Sequence, residues 1–285
     1  MRLIQDLNEM TQAATEARSN GLKLCLVPTM GYFHEGHLSL MRFARKIADR
    51  VVVSLFVNPT QFGPGEDLAR YPRDFERDAS LADAEGVDIL FCPDPADMYP
   101  EGFKTWVDVE GLSGIMCGVS RPSHFRGVAT VVCKLFNIVR PDRAVFGEKD
   151  FQQLVIIRRM VKDLNMPVEI VGHPIVREKD GLAMSSRNVY LNIEERGAAV
   201  CLFEALKLAE DLVKKGGCLT ERIGDEVKRH ILSRCNTKID YIFFGDPETL
   251  EPVEMVKERP VLLALAVWIG GTRLIDNIIL NGPIR

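Results

Sequence analysis

At 285 residues and 46% hydrophobic content the chain can bury a sizeable core, as one large or two modest domains. Its 36 basic and 40 acidic side chains leave a net charge of −4, too balanced for nucleic acid or an anionic membrane as the main partner. Residues 1–20 are polar rather than leader-like, and no apolar run reaches the ~18 residues that span a bilayer. Seven scattered cysteines, none in a C-x-x-C arrangement, argue against a disulfide framework or zinc site and for a reducing, cytoplasmic setting.

In chain order, residues 3–20 carry a helical period (Leu3, Leu7, Met10, Ala13, Ala14, Ala17) that predicts a helix ending near Gly21. The apolar run Leu22–Val27 predicts a strand stopped by Pro28. A Gly-bearing turn follows, then His34-Glu35-Gly36-His37 and a helical pattern to about Asp49. Val51–Val57 is short and β-branched, as a strand buried on both faces should be. A helix over Phe75–Glu85, a strand over Val87–Phe91 and a further strand at Thr105–Val109 are expected next. After them come helix Phe125–Val139, strand Ala144–Phe146, helix Phe151–Leu164 and strand Val168–Val171. The alternation predicts a doubly wound parallel α/β domain over residues 1–175. The tail, residues 176–285, reads as a small α+β domain. Its helices are expected at Ile193–Lys215 and Thr220–Ser233, and its strands at Ile239–Phe244, Val261–Trp268 and Leu274–Leu280.

Four loops carry candidate chemistry. His34 and His37 are three apart at a helix start, so both rings share one face beside unpaired main-chain N–H groups, a setting suited to phosphate. Two surface histidines in a loop is the plainer reading. In Asn58–Gly65, Gln61 suits a hydrogen bond to a small substrate, or the segment is an ordinary turn. In Phe146–Gln153, Gly147 permits close backbone approach and Lys149 offers a mobile charge to phosphate. Asp150 fits an N-cap or a ribose hydroxyl, with Gln153 on the same helical face; a solvated charge run is the alternative. In Ala183–Asn188, Ser185, Ser186 and Arg187 suit a phosphate clamp.

Taken together, VPTMGYFHEGHLSL (27–40), FVNPTQFG (56–63), DLARYPR (67–73), RPSHFRGV (121–128), FGEKDFQQ (146–153), DGLAMSSRNVYL (180–191) and RLIDN (273–277) resemble the pantoate–β-alanine ligase family of HxGH nucleotidyltransferases. The resemblance covers essentially the whole chain. It implies a Rossmann-like sheet binding ATP and pantoate, with a C-terminal lid domain. The implied reaction forms pantoyl adenylate from pantoate and ATP, then condenses it with β-alanine. By the same resemblance, His37, His34 and Lys149 are the catalytic residues. Met30, Gly31, Tyr32, Phe33, His34, Glu35, Gly36 and His37 form the ATP cradle. Gly147, Glu148, Lys149, Asp150, Val176, Met184, Ser185, Ser186 and Arg187 complete the ATP contacts. Gln61 and Gln153 contact pantoate. Magnesium is expected with ATP, Asp78 being its candidate ligand, and a homodimer is implied. His124 is read either as a substrate contact or as a structural residue; His173 and His230 are taken as incidental. HEGH alone would also suit an enzyme moving AMP onto a phosphorylated acceptor.

Overall fold

In the computed structural model, which describes residues 1–282, the apolar runs of the first half become parallel strands. These are β1 (Arg2–Ile4), β2 (Leu24–Thr29), β3 (Arg50–Leu55), β4 (Ile89–Phe91), β5 (Arg143–Gly147) and β6 (Glu169–His173). They form one sheet in the order β1-β4-β3-β2-β5-β6, with every pairing parallel. Val51, Val52 and Val53 of β3 are all fully buried, because this strand has a neighbour on each side and is covered on both faces. The chain steps outward from β2 through β3 to β4, then starts β5 on the other side of β2. Such a reversal opens a crevice outside the carboxyl ends of the two strands that flank it, here β2 and β5. Helix Glu35–Ile47 lays Leu40, Met41 and Ala44 against Cys25 and Val27 of β2 and Val51 and Val53 of β3.

The second half builds an antiparallel sheet in the order β7 (Thr237–Gly245), β8 (Val261–Ile269), β9 (Thr272–Leu280). As the middle strand, β8 is buried everywhere except Trp268. Helices Cys201–Lys214 and Thr220–Leu232 pack on this sheet through Leu202, Leu206, Ile223, Val227 and Ile231. The chain divides into two compact units, Met1–Glu148 with Ile156–Pro174, and Lys149–Val155 with Ile175–Arg285. The first turn of helix Phe151–Asp163 therefore groups with the second unit.

The structure departs from the sequence expectations in four places. Residues 2–4 form an edge strand beside β4 rather than the start of a helix. Asp6 then caps helix Leu7–Ser19 by accepting the Glu9 N–H at 2.8 Å. Strand β2 runs on through Pro28 to Thr29; the β5 ladder ends at Leu26, so no β5 partner stands opposite Pro28. The Thr105–Val109 segment is not a strand. Its Val107 N–H goes instead to Thr130 Oγ1 at 3.0 Å. The long tail helix is two helices, Ile193–Ala199 and Cys201–Lys214, meeting at Val200.

Candidate active site

Helix Glu35–Ile47 begins in an unusual capping box made of two histidines. His34 is the N-cap, and its Nδ1 accepts the Gly36 N–H at 3.1 Å; His37 Nδ1 accepts the His34 N–H at 3.3 Å. A neutral imidazole whose Nδ1 accepts must carry its proton on Nε2. The local fold thus fixes both rings as Nε2–H donors at the positive end of a helix. The rings lie 4.1 Å apart between centroids, and His37 also packs 5.6 Å from the buried Phe33 ring. Glu35 is exposed, and its carboxylate pairs with Arg42.

The turn before the helix is held from outside. Gly31 has φ +85° and Tyr32 φ +53°, left-handed conformations that cost little for glycine and more for tyrosine. A Cβ on Gly31 would sit 3.0 Å from Asp78 Oδ2 and 3.2 Å from Leu55. Asp78, 1% exposed, accepts the Tyr32 N–H at 2.5 Å and the Phe33 N–H at 2.7 Å, one on each carboxylate oxygen. Burial pushes its carboxyl above the ordinary range, opposed by those two donors and by Arg77. The carboxylate is out of solvent and each of its oxygens accepts a main-chain N–H, which gives Asp78 the task of anchoring the strained turn beside the metal role expected of it.

Gln61 is 8% exposed, at the end of the short turn Pro59–Gln61. Its Oε1 accepts from Asn58 Nδ2 at 3.1 Å, and its Nε2 donates to Met30 Sδ at 3.1 Å. Asn58 also donates to the Gly127 carbonyl at 3.1 Å. Helix His124–Val139 comes so close that a Cβ on Gly127 would meet the Thr60 carbonyl oxygen at 2.5 Å. The Gln61 carbonyl accepts from His124 Nδ1 at 2.9 Å and from Arg121 Nη2 at 3.3 Å. His124 is therefore seated in the loop framework through this nitrogen. Arg121 forks onto Glu66 at 2.9 and 2.6 Å.

Burial alone would raise the Glu66 carboxyl, but the Arg121 guanidinium outweighs it and holds it below its ordinary value. Such a group adds stability above the unfolded carboxyl value of about 4.3 and loses it as pH falls through the lower folded value. Thermal melts between pH 3 and 7 are thus expected to show a steeper acid-side fall in the wild type than in Glu66→Gln. Parallel curves would remove the pair from the loop's support.

In the second unit, Lys149 Nζ lies 3.3 Å from Asp150 Oδ2, and the Lys149 carbonyl accepts from Asn277 Nδ2 at 3.0 Å. Gln153 is half-buried on the first turn of its helix. Val176 and Met184 are tied by a main-chain bond, Met184 N to Val176 O at 3.0 Å, beside the Arg177–Ala183 bridge. Ser185 caps the short turn Ser186–Tyr190, its Oγ accepting the Arg187 N–H at 3.3 Å. Asn188 donates to Glu178 and to the Ala183 carbonyl.

Within the first unit the structure joins His34 to His37, Gln61 to Met30 and Asp78 to Tyr32 and Phe33, with Gly147 and Glu148 at the end of β5. Within the second it joins Lys149 to Asp150 and Val176 to Met184. Sequence reasoning did not assign Asn58, Glu66, Arg121, Asp276 or Asn277. A usable signal was present for the last two: they are the polar pair in an otherwise apolar stretch of β9.

A family profile described as pantoate-beta-alanine ligase matches residues 2–279. The pantothenate synthetase of Moorella thermoacetica is 55% identical over 281 residues, covering 99% of each chain. That of Syntrophotalea carbinolica is 58% identical over 277 residues, covering 97% of this chain and 98% of its own. Among solved structures, the pantothenate synthetase of Thermus thermophilus superposes with a TM-score of 0.93 at 47% identity, over 99% of this chain and 100% of that one. The pantoate-beta-alanine ligase of Francisella tularensis, complexed with beta-gamma ATP and beta-alanine, gives 0.81 at 32% identity, over 98% and 97%. With the histidine-capped helix standing at the carboxyl end of a central parallel strand, this chain belongs to the pantoate–β-alanine ligase family.

Proposed function

We infer that the chain performs its family's reaction. The pantoate carboxylate attacks the α-phosphorus of ATP, forming a P–O bond and expelling pyrophosphate. The β-alanine amine then attacks the acyl carbon of the pantoyl adenylate, forming the amide, losing a proton and releasing AMP. The observation that carries this reading is the pair of histidines held as Nε2–H donors at a helix N-terminus. Attack at phosphorus concentrates negative charge on the phosphate oxygens, and donors already fixed in place gain most in the transition state. A carboxylate is ionised at pH 7, so neither ring is needed as its base.

In this reading His34 and His37 stabilise the reacting phosphate, with the Met30–His37 main chain as cradle. Lys149, Ser185, Ser186 and Arg187 grip the phosphates. Gly147, Glu148, Asp150, Val176 and Met184 contact the nucleoside. Gln61 and Gln153 bind pantoate; the Gln61 amide is already oriented by Asn58. Magnesium neutralises ATP charge when bound. Among the described residues no group of three or more His, Cys, Asp or Glu is placed to hold a metal, in keeping with a cation held chiefly by phosphates and water. No helix among the described residues is long and apolar enough to cross a membrane. Cys25 and Cys201 are unpaired core thiols, in keeping with a reducing compartment such as the cytoplasm. A homodimer follows from the resemblance and is read by light scattering.

Exchange of labelled pyrophosphate into ATP tests the reading. Exchange is expected only when pantoate is present, and it needs no β-alanine. Exchange supported by a phosphorylated acceptor but not by pantoate would reassign the chain to plain nucleotidyl transfer.

A further inference from the structure

Strand β9 is apolar around two polar residues. Leu274 and Ile275 precede them and Ile278, Ile279 and Leu280 follow. Asp276 is 2% exposed and Asn277 6%. Side chains this polar are tolerated in such a place only when their hydrogen-bonding groups are engaged, so their partners show what they hold. Successive side chains leave a strand on opposite faces, which lets two neighbours reach two different segments.

Asp276 takes the Arg177 guanidinium as a fork, Nη1 to Oδ2 at 2.6 Å and Nη2 to Oδ1 at 2.9 Å. Arg177 donates in turn to the Gly181 carbonyl at 3.0 Å, bracing the segment that leads to Ser185–Arg187. Asp276 Oδ1 also accepts the Asn277 main-chain N–H at 2.8 Å. Asn277 Nδ2 then donates to the Lys149 carbonyl. Burial pushes the Asp276 carboxyl up, while Arg177, the Asn277 N–H and the Lys149 ammonium pull it back, so Lys149 stands within electrostatic reach. A buried ion pair of this kind is often no more stabilising than apolar packing would be. What it adds here is a fixed location for Asn277.

A lysine ammonium rides on a flexible four-carbon stem, so besides its ion pair with Asp150 its reach is set by where its main chain is fixed. We propose that Asn277 is a positioning residue for the reaction, setting where Lys149 stands by clamping its carbonyl, with the Asp276–Arg177 fork as the immobile base of that clamp. The inference rests on the reading of Lys149 as a phosphate-binding cation.

The test is a double-mutant cycle read by pantoate-dependent pyrophosphate exchange, with thermal melts alongside. Asn277→Ala is expected to lower kcat by about 10²-fold, the scale of a 1 Å misplacement, while the KM for pantoate stays close to wild type and the melting temperature falls by only a few degrees. Lys149→Ala is expected to lose at least as much. Adding Asn277→Ala to Lys149→Ala should then cost no more, because the clamp acts through the lysine. Losses that multiply in the double variant overturn the proposal, as does full activity in Asn277→Ala beside a crippled Lys149→Ala, which leaves the lysine reading standing. Wild-type activity in Lys149→Ala overturns both. Should Asn277→Ala fail to fold, Asn277→Ser takes its place in the same cycle, with the same outcomes deciding.

Discussion

His37→Asn is expected to melt as the wild type does yet lose about 10²–10³ in kcat for adenylation, the usual cost of removing one fixed donor to a developing oxyanion. The asparagine amide oxygen can stand where Nδ1 stands and accept the His34 N–H, so the helix cap survives while the Nε2–H donor is gone. His37→Ala removes both, and should show the same kinetic loss with roughly a further 1 kcal/mol of destabilisation from the missing cap. The pair of variants separates two jobs that the wild-type ring performs at once. Pre-steady-state pyrophosphate release is the measurement. A kcat near wild type in His37→Asn would mean that the ring serves the helix and not the phosphate.

Asp78→Ala is expected to be the most damaging substitution outside the substrate-contacting residues. It strips a buried main-chain donor, Phe33 N, and a part-buried one, Tyr32 N, of their acceptor, and each such loss typically costs about 1–3 kcal/mol. Relief of the carboxyl's own burial, visible in its raised pKa, returns part of that. A net loss of roughly 2–4 kcal/mol is expected, a melting shift on the order of 5–15 °C for a domain of this size. Adenylation should fall with it, because the left-handed Tyr32 that aims the cradle is no longer tied down. Asp78→Asn keeps one acceptor but sets an amide donor against the other N–H, so it should lie between wild type and Asp78→Ala. If Asp78 instead served a metal, its removal would raise the KM for magnesium-ATP and leave the melting temperature alone. Titrating magnesium against both variants decides between the two roles.

These two expectations differ in how far the sequence alone could lead. The histidine pair was legible because its geometry is local. A strand-like run, a glycine-bearing turn and a helical pattern follow one another directly between Leu22 and Asp49 and fix where the rings fall, and only neighbouring main chain is needed to cap them. The parallel strands were legible for the same reason, since a continuous β-branched run such as Val51-Val52-Val53 has little choice but burial on both faces. Boundaries were less legible where a long-range partner overrode a local pattern. Leu3 fits the helical period of residues 3–20 but was claimed by the exposed edge of β4, and the amphipathic run from Ile193 gives no sign of the break at Val200.

Composition and periodicity by themselves determined the class of fold, because both are written in residues close together along the chain, while the reaction family was carried by the resemblance of its motif segments to a known family. What only the tertiary structure decided is which polar side chains hold those segments in shape. Asp78 reaches a turn 46 residues away, and Asn277 reaches a carbonyl 128 residues away. A carboxylate or amide carries no mark in the sequence of whether it will meet a metal, a substrate or a main-chain N–H. Only the folded chain brings such partners within the roughly 3 Å at which a hydrogen bond forms.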